Sequence, residues 1–264
     1  MKITILGSCT STGVPEYKCD CETCEDARIF GSKNRRMRAS IHIEDNGHHL
    51  QFDVGPNFID QIDINKIPSI DAVLFTHCHS DHISGVNDLV MPCRKQKMDM
   101  PIYGPDEVIK ILQRNNDYMF DKNTFQGGGI GHLIPHSIES KFELCGFEII
   151  PIQIEHAAVV TIGYRINNVA YIPDVKRIPE ESKSLLHGLD ILILDALSFN
   201  PKHPTHLSVG EAVDIVNELN PRQAYFTHIM HRLDHRHFHK QCEEQNIIVP
   251  TNTSLAYDGQ VIEI

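Results

Sequence analysis

The chain has 264 residues, with 24 Lys and Arg against 35 Asp and Glu and a formal net charge of −11. That balance argues against a general nucleic-acid surface, while a phosphate substrate stays open because bound divalent cations supply positive charge locally. No apolar run is long enough to span a bilayer, and the start MKITILGS lacks the layout of a signal peptide, so a cytoplasmic protein is expected. Eight cysteines then suggest metal binding or reduced thiols rather than disulfides, and 17 histidines are a clustered excess. No Pro-, Gly- or Ser-rich linker interrupts the chain, and one domain over residues 1–264 is expected.

Lys2 to Leu6 reads as a strand, followed by the small-residue turn Gly7 to Pro15. Cys19-Asp20-Cys21-Glu22-Thr23-Cys24 places three thiols within six residues of a polar loop. Soft thiolates suit zinc, but a structural zinc site needs a fourth ligand. Arg35, Arg36 and Arg38 lie in a basic stretch that reads equally as a solvated loop or as a phosphate-facing segment. Ser40 to Glu44 and His49 to Val54 alternate as a hairpin across Asp45-Asn46-Gly47, with His42, His48 and His49 on its surface.

Asp71 to Phe75 is an apolar, β-rich run that predicts a buried strand. It leads into Thr76-His77-Cys78-His79-Ser80-Asp81-His82. The strand end fixes the backbone, and the following turn can aim His77, His79, Asp81 and His82 at a common point. Imidazole nitrogen and carboxylate oxygen are the donors that zinc, manganese or iron take. Beyond this loop, Gly85 to Val90 predicts a short helix ended by Pro92. Pro101 to Gly104 predicts a strand, and Pro105 to Asn115 a helix. Residues 117–131 are least legible, with Gln126 to Gly129 as a flexible loop over the active-site face and His132 and His136 as surface residues.

Phe147 to Ile154 predicts a strand with His156 just past its end. Gly163 to Ile166 and Val169 to Ile172 form another hairpin, and Asp174 follows it. Ile191 to Leu194 is a buried strand ending in Asp195. Ser208 to Leu219 is an amphipathic helix capped by Leu207 or Ser208. Gln223 to Thr227 is a strand ending in His228, and Ile247 to Ile264 reads as three short strands or extended pieces around Asp258-Gly259. His235, His237 and His239 read as surface residues of a helix after His231.

The run His77-x-His79-x-Asp81-His82 after a buried strand resembles the signature of the metallo-β-lactamase fold. The resemblance implies an α/β sandwich of αββα type, with two central mixed sheets flanked by helices. It implies a glycine-rich turn passing beneath the metal site, and Asp53, in Asp53-x-Gly55, orienting a ligand histidine from behind. It also places His156, Asp174 and His228 in the family's order of ligands. His77, His79 and His156 then hold one divalent ion, Asp81, His82 and His228 a second, and Asp174 bridges the two. The ions are expected to be zinc or manganese. Two such cations about 3.5–4 Å apart acidify a shared water and hold phosphoryl oxygens during in-line attack.

His206, in Thr205-His206-Leu207-Ser208, stands where phosphodiesterases of this fold carry a proton-donating histidine. His206 and Asp81 are the expected catalytic residues. His231, three residues beyond His228, is expected to join Cys19, Cys21 and Cys24 around a structural zinc. The Cys-x-Cys-x-x-Cys plus Thr-His-x-x-His pattern resembles the phosphoribosyl 1,2-cyclic phosphate phosphodiesterase (PhnP-like) subfamily. That implies a small cyclic or nucleotide-like phosphodiester as substrate, with no membrane partner, no nucleic acid and a possible homodimer. The alternatives weighed are a tRNA 3′-processing nuclease, an accessory protein like the pyrroloquinoline quinone B proteins, and a glyoxalase II-type thioester hydrolase. A flavin-linked di-iron oxidoreductase is set aside because it usually has a carboxylate where His79 stands.

Overall fold

A computed structural model describes residues 1–121, 123, 131–199 and 202–264. The expected loop at Gln126 to Gly129 lies outside the described residues. In chain order the strands are β1 (Lys2–Gly7), β2 (Ser40–Asp45), β3 (His48–Phe52), β4 (Ala72–Leu74), β5 (Met100–Gly104), β6 (Leu133–Ser137), β7 (Phe142–Leu144), β8 (Phe147–His156), β9 (Val159–Ile166), β10 (Val169–Ile172), β11 (Ile191–Asp195), β12 (Gln223–Thr227), β13 (Thr253–Leu255) and β14 (Val261–Glu263). The α-helices are α1 (Glu22–Ala27), α2 (Phe58–Ile64), α3 (Ser80–Ile83), α4 (Val90–Gln96), α5 (Asp106–Asn115), α6 (Glu180–Ser184), α7 (Val209–Leu219) and α8 (Phe238–Glu244).

One sheet has the order β14-β1-β2-β3-β4-β5-β6, and the other β13-β12-β11-β10-β9-β8-β7. Both are mixed: β1 to β3 pair antiparallel and β3 to β6 parallel, while β7 to β10 pair antiparallel and β10 to β13 parallel. The inward residues of the two sheets form one core, in which Ile41, Leu50, Phe52 and Leu74 meet Ile149, Tyr164, Tyr171 and Ile193. The outer face of the first sheet buries Val73 and Ile102 against Phe58, Val108 and Leu112. That of the second buries Leu192 and Phe226 against Val213, Val216 and Phe238. β4 (AVL) and β10 (VAYI), buried at every position, are apolar throughout, as burial on both faces favours. This is the αββα sandwich that the sequence implied.

Helix α7 shows how local chemistry sets an element. Val209, Ala212, Val213, Val216 and Leu219 recur at helical spacing and are buried, and Ser208 and Glu211 close a reciprocal capping box. Ser208, not Leu207, is therefore the cap.

Four expectations are corrected. Pro92 lies inside the first turn of α4 rather than ending a helix, because the first-turn N–H it lacks would have no intrahelical partner anyway. The C-terminal stretch forms two described strands, not three. His235 and His237 precede α8, and only His239 is within it. His42 and His49 are buried, not surface: His42 Nε2 lies 3.1 Å from His49 Nδ1, with the rings stacked at 5.4 Å. The outer face of the first sheet is covered at this point, which alternation alone could not show. Only His48 of the three is exposed.

Candidate metal centre

The ends of the parallel strands place the site. β4 ends at Leu74, and extended chain carries His77 and His79 onward, with His79 at the cap position of the single-turn α3. The turn of α3 then sends Asp81 and His82 in other directions from the same short segment. β8 ends on His156, Asp174 follows β10, and His228 follows β12. All seven expected ligands therefore converge from the edges of both sheets. His77, His79, His156 and Asp174 offer donor atoms within 4.8 Å of one another, and so do Asp81, His82 and His228.

Asp174 stands between the two groups. Its Oδ1 is 3.9 Å from His77 Nε2, 3.8 Å from His156 Nε2 and 3.2 Å from His228 Nε2, and its Oδ2 is 3.0 Å from His82 Nε2. Asp81 Oδ2 is 3.5 Å from both His82 Nε2 and His228 Nε2. His79 Nδ1 and His156 Nε2 are 3.4 Å apart, near the separation of two nitrogens on one tetrahedral zinc with bonds of about 2.0–2.1 Å. His77 Nε2 is buried without a hydrogen-bond partner in the described structure, and His82 Nε2 and Asp174 Oδ2, although 3.0 Å apart, make no hydrogen bond of acceptable geometry. Buried polar atoms are ordinarily paired, so three orphans aimed at one point fit divalent ions.

The far side of three of these rings, His77, His82 and His156, is held. Asp53 Oδ2 lies 2.8 Å from His82 Nδ1. Asp53 also accepts from the Thr76 backbone N–H at 2.8 Å, and the Thr76 hydroxyl lies 3.0 Å from His77 Nδ1. The Thr205 carbonyl lies 2.7 Å from His156 Nδ1. These contacts fix which nitrogen faces inward. Asp53 has the orienting position expected of it, whereas Thr76 and Thr205 carried no signal beyond their place beside histidines.

Burial, reinforced by His82, holds His77 well below its usual pKa, and burial pulls His156 down to about 4. Both are thus neutral, as metal ligation requires. Burial alone would raise Asp174, yet His228, His82 and His77 hold it well below the carboxylate range. Asp53 and His228 adopt left-handed backbone, at φ 57° and 56°. Such conformations are unfavourable for non-glycine residues and mark sites that the surrounding fold enforces.

His206 sits beside this centre, its ring 4.6 Å from that of His156 and 4.7 Å from that of His228. Its Nδ1 is 2.8 Å from Asp195 Oδ2. Asp195 is fully buried at the end of β11 and also accepts from the Val175 and Leu207 N–H groups at 3.0 and 3.4 Å. Burial by itself pushes Asp195 well above the carboxylate range and His206 below the imidazole range, whereas divalent ions held by the adjoining ligand groups would favour the Asp195 anion. The sequence marked Asp195 only as a strand end, although Asp174, in the same kind of place, was recognised. His203 is exposed, with its ring 5.1 Å from that of His206.

A second cluster forms where the cysteine loop meets the chain after β12. The Sγ atoms of Cys19, Cys21 and Cys24 lie 3.3, 3.4 and 3.6 Å from His231 Nδ1. Tetrahedral zinc bonds of about 2.3 Å to sulfur and 2.0–2.1 Å to nitrogen set S and N about 3.5 Å apart. Glu16 Oε2 sits 2.9 Å from His231 Nε2 and fixes Nδ1 toward the thiols. Of the basic loop, Arg36 is buried and donates to Asn34 and the Leu233 carbonyl, so it does not face a phosphate. His132 is half-buried, and the exposed His136 stacks on Tyr103 at 4.5 Å.

Two mixed sheets between helices, with metal-type side chains at the strand ends, define a metallo-β-lactamase-type fold, which implies divalent metal ions. The chain belongs to the β-lactamase superfamily: residues 48–229 match the Beta-lactamase superfamily domain. It resembles the crystal structure of a diphosphatase from the PhnP family, at 34% identity and TM-score 0.86 over 100% of this chain and 96% of that one. It is 30% identical to an octanoyltransferase of Porphyromonas gingivalis over 98% of this chain, but spans 51% of that protein. A Zn(2+)-bound PqqB from Methylobacterium extorquens shares the fold, at 19% identity, TM-score 0.79 and full coverage of both chains. Among the described residues, no helix is long and apolar enough to cross a membrane.

Proposed function

We propose that this protein is a dinuclear metal-dependent phosphodiesterase acting on a small cyclic or nucleotide-like phosphodiester, such as a phosphoribosyl cyclic phosphate. The observation that carries the reading is the buried His206–Asp195 pair, 2.8 Å apart, set against two ligand groups with Asp174 in the first and 3.0 and 3.2 Å from His82 and His228 of the second. His77, His79 and His156 would hold one ion, Asp81, His82 and His228 the other, and Asp174 both, with zinc or manganese as the ions. When bound, they supply an acidified water and positive charge for the phosphoryl oxygens. Cys19, Cys21, Cys24 and His231 would hold a third, structural zinc.

The chain's own residues do the rest. Asp53, Thr76 and the Thr205 carbonyl keep the imidazoles in ligating orientation. His206 is the proton donor for the departing alkoxide. With Nδ1 engaged by Asp195, its Nε2 is bonded by none of the described groups and is free to face the leaving group. A poor alkoxide leaving group needs that proton, and such donors typically contribute ~10²–10⁴-fold.

The match to half of an octanoyltransferase favours a second reading, hydrolysis of an acyl thioester. His206–Asp195 argues for the first, because a thiolate, with a parent thiol pKa near ~8.5, departs without a donor. The test is turnover by zinc- or manganese-loaded protein of ribose 1,2-cyclic phosphate, 2′,3′-cyclic nucleotides, an aryl diester, precursor tRNA and an octanoyl thioester. Preference for the small cyclic diesters supports the reading. Cleavage of tRNA or thioester alone moves the protein to another branch of the fold, and silence on all substrates favours a non-catalytic accessory role.

A further inference from the structure

At the end of β4 opposite His77, three donors of different kinds meet. His48 opens β3, Asp71 directly precedes β4, and Cys145 begins the two-residue turn between β7 and β8. β3 and β4 belong to the first sheet and the β7–β8 hairpin to the second. One donor atom from each residue lies within 4.8 Å of the other two. His48 Nδ1 is 3.7 Å from Asp71 Oδ2. Tetrahedral bonds of about 2.0–2.2 Å to nitrogen and oxygen set such atoms about 3.4 Å apart. A small rotation of the exposed His48 ring closes that difference.

The carboxylate is held in place. The Asp71 N–H donates to the His49 carbonyl and the His49 N–H to Asp71 Oδ2, each at 2.8 Å. Among the described hydrogen bonds, none uses Asp71 Oδ1, Cys145 Sγ or the His48 ring. Cys145 is half-buried against the core between the sheets. Burial, and then the charge of Asp71, raise its thiol pKa. A thiolate beside a carboxylate is unfavourable until a cation sits between them.

Cys145 is also an unusual choice for its place in the turn. It adopts left-handed backbone at φ 53°, followed by Gly146 at φ 82°. That is the pattern of a type I′ hairpin, for which Asn-Gly is a favoured pair. Asn46 and Asn167 fill the same position in the β2–β3 and β9–β10 turns, at φ 49° and 51°. Ala157 fills it between β8 and β9, next to the expected ligand His156. Asparagine tolerates this conformation far better than most residues, so the turn itself does not select a cysteine.

We propose that His48, Asp71 and Cys145 form a further zinc site, with water as fourth ligand, that clips the β7–β8 hairpin of the second sheet to the first. Sulfur, nitrogen and oxygen donors together suit zinc, whereas magnesium and calcium take oxygen alone. The site shares no residue with the metal centre or with the Cys19, Cys21, Cys24 and His231 cluster. It stands whether or not the phosphodiesterase reading does.

The experiment compares wild type with Cys145→Asn, His48→Ala and Asp71→Asn, each stripped by chelator and dialysed against the same free zinc concentration. Each variant should hold one zinc fewer per chain by elemental analysis, because loss of a direct ligand should weaken zinc at least about 100-fold. With cobalt(II) as probe, the difference spectrum between wild type and Cys145→Asn should contain a sulfur-to-cobalt charge-transfer band. Cys145→Asn suits the turn, so in chelator its Tm should match or exceed that of wild type, while in zinc its Tm should rise less. His48 is exposed, so His48→Ala removes the same ion with the turn untouched. A full complement of zinc in any one of the three variants overturns the site, and so does an equal zinc-induced rise in Tm in wild type and Cys145→Asn.

Discussion

Replacing Asp195 by Asn tests the proton-donor assignment with least damage to the fold. Asp195 Oδ2 takes three donors, from His206 Nδ1, Val175 and Leu207, while Oδ1 is buried without a partner and 4.0 Å from His228 Nδ1. An Asn can keep its carbonyl oxygen at the Oδ2 position and place its NH2 at the vacant Oδ1 position. The three donors to Oδ2 stay satisfied and the ring of His206 stays in place; the charge behind it goes, and the new NH2, 4.0 Å from His228 Nδ1, is the one donor added. Charge-assisted hydrogen bonds contribute about 1.5–3 kcal/mol and neutral ones about 0.5–1.5 kcal/mol, so about 1–2 kcal/mol is at stake, or roughly 5- to 30-fold in rate. The loss should fall on alkyl diesters, whose leaving group needs the proton. An activated aryl diester should lose less than about threefold. The assay is kcat/KM across a series of leaving groups at constant metal content. Asp195→Asn combined with His206→Ala should be no slower than His206→Ala alone, because both act through one imidazole. An equal loss on alkyl and aryl diesters, or additive losses in the double variant, would refute the reasoning. Asp195→Ala is the contrasting case: it strands two buried backbone N–H groups at about 1–3 kcal/mol each and should fail by stability instead.

Four other outcomes are expected. Asp174→Ala removes the one carboxylate between the ligand groups and should lower bound metal and reduce activity by at least about 10³-fold; full metal content by elemental analysis would contradict its bridging place. Cys21→Ser should remove one zinc per chain and lower Tm by roughly 5–10 °C, at about 2–4 °C per kcal/mol, while active-site metal persists; an unchanged Tm and unchanged zinc content end the structural-site idea. Gly55→Ala sets a Cβ 2.0 Å from the Asp81 carbonyl and should displace Asp81, with an activity loss of about 10²-fold or more; wild-type kinetics would show that the turn can yield. Burial beside His49 pulls His42 down to about 4 from 6.5. The folded state therefore binds fewer protons than the unfolded between those values, and stability falls as pH drops from 6.5 toward 4. His42→Gln should flatten that limb relative to wild type in urea titrations, and parallel limbs would exclude His42 as the cause.

The candidate ligands are legible because each sits at or just past the end of a predicted strand, while their order as ligands is what the resemblance to the family implies. His77 to His82, His156, Asp174 and His228 needed the fold only to bring them together. The three thiols of Cys19, Cys21 and Cys24 were equally plain, yet His231 lies more than 200 residues away, and only its count from His228 hinted at it. Asp195 was passed over although it ends β11 much as Asp174 follows β10. What separates it is a partner, His206, 11 residues on across a loop. His42 and His49 show the reverse error: polar residues on the alternate face of a hairpin read as solvent-facing, whereas here both are buried, ring against ring. Pro92 reads as a stop because Pro ends helices, but a first turn tolerates it, and that is where α4 places it.

The sequence by itself determined the strands, the metal-type side chains at their ends and the chemistry those donors favour, since these follow from local pattern and residue type. Tertiary structure alone decided which ring nitrogens face inward, that Asp195 backs His206, and that Asp53 and Thr205 stand behind His82 and His156. Each of those depends on contacts between segments far apart in the chain, whose distances no local period encodes.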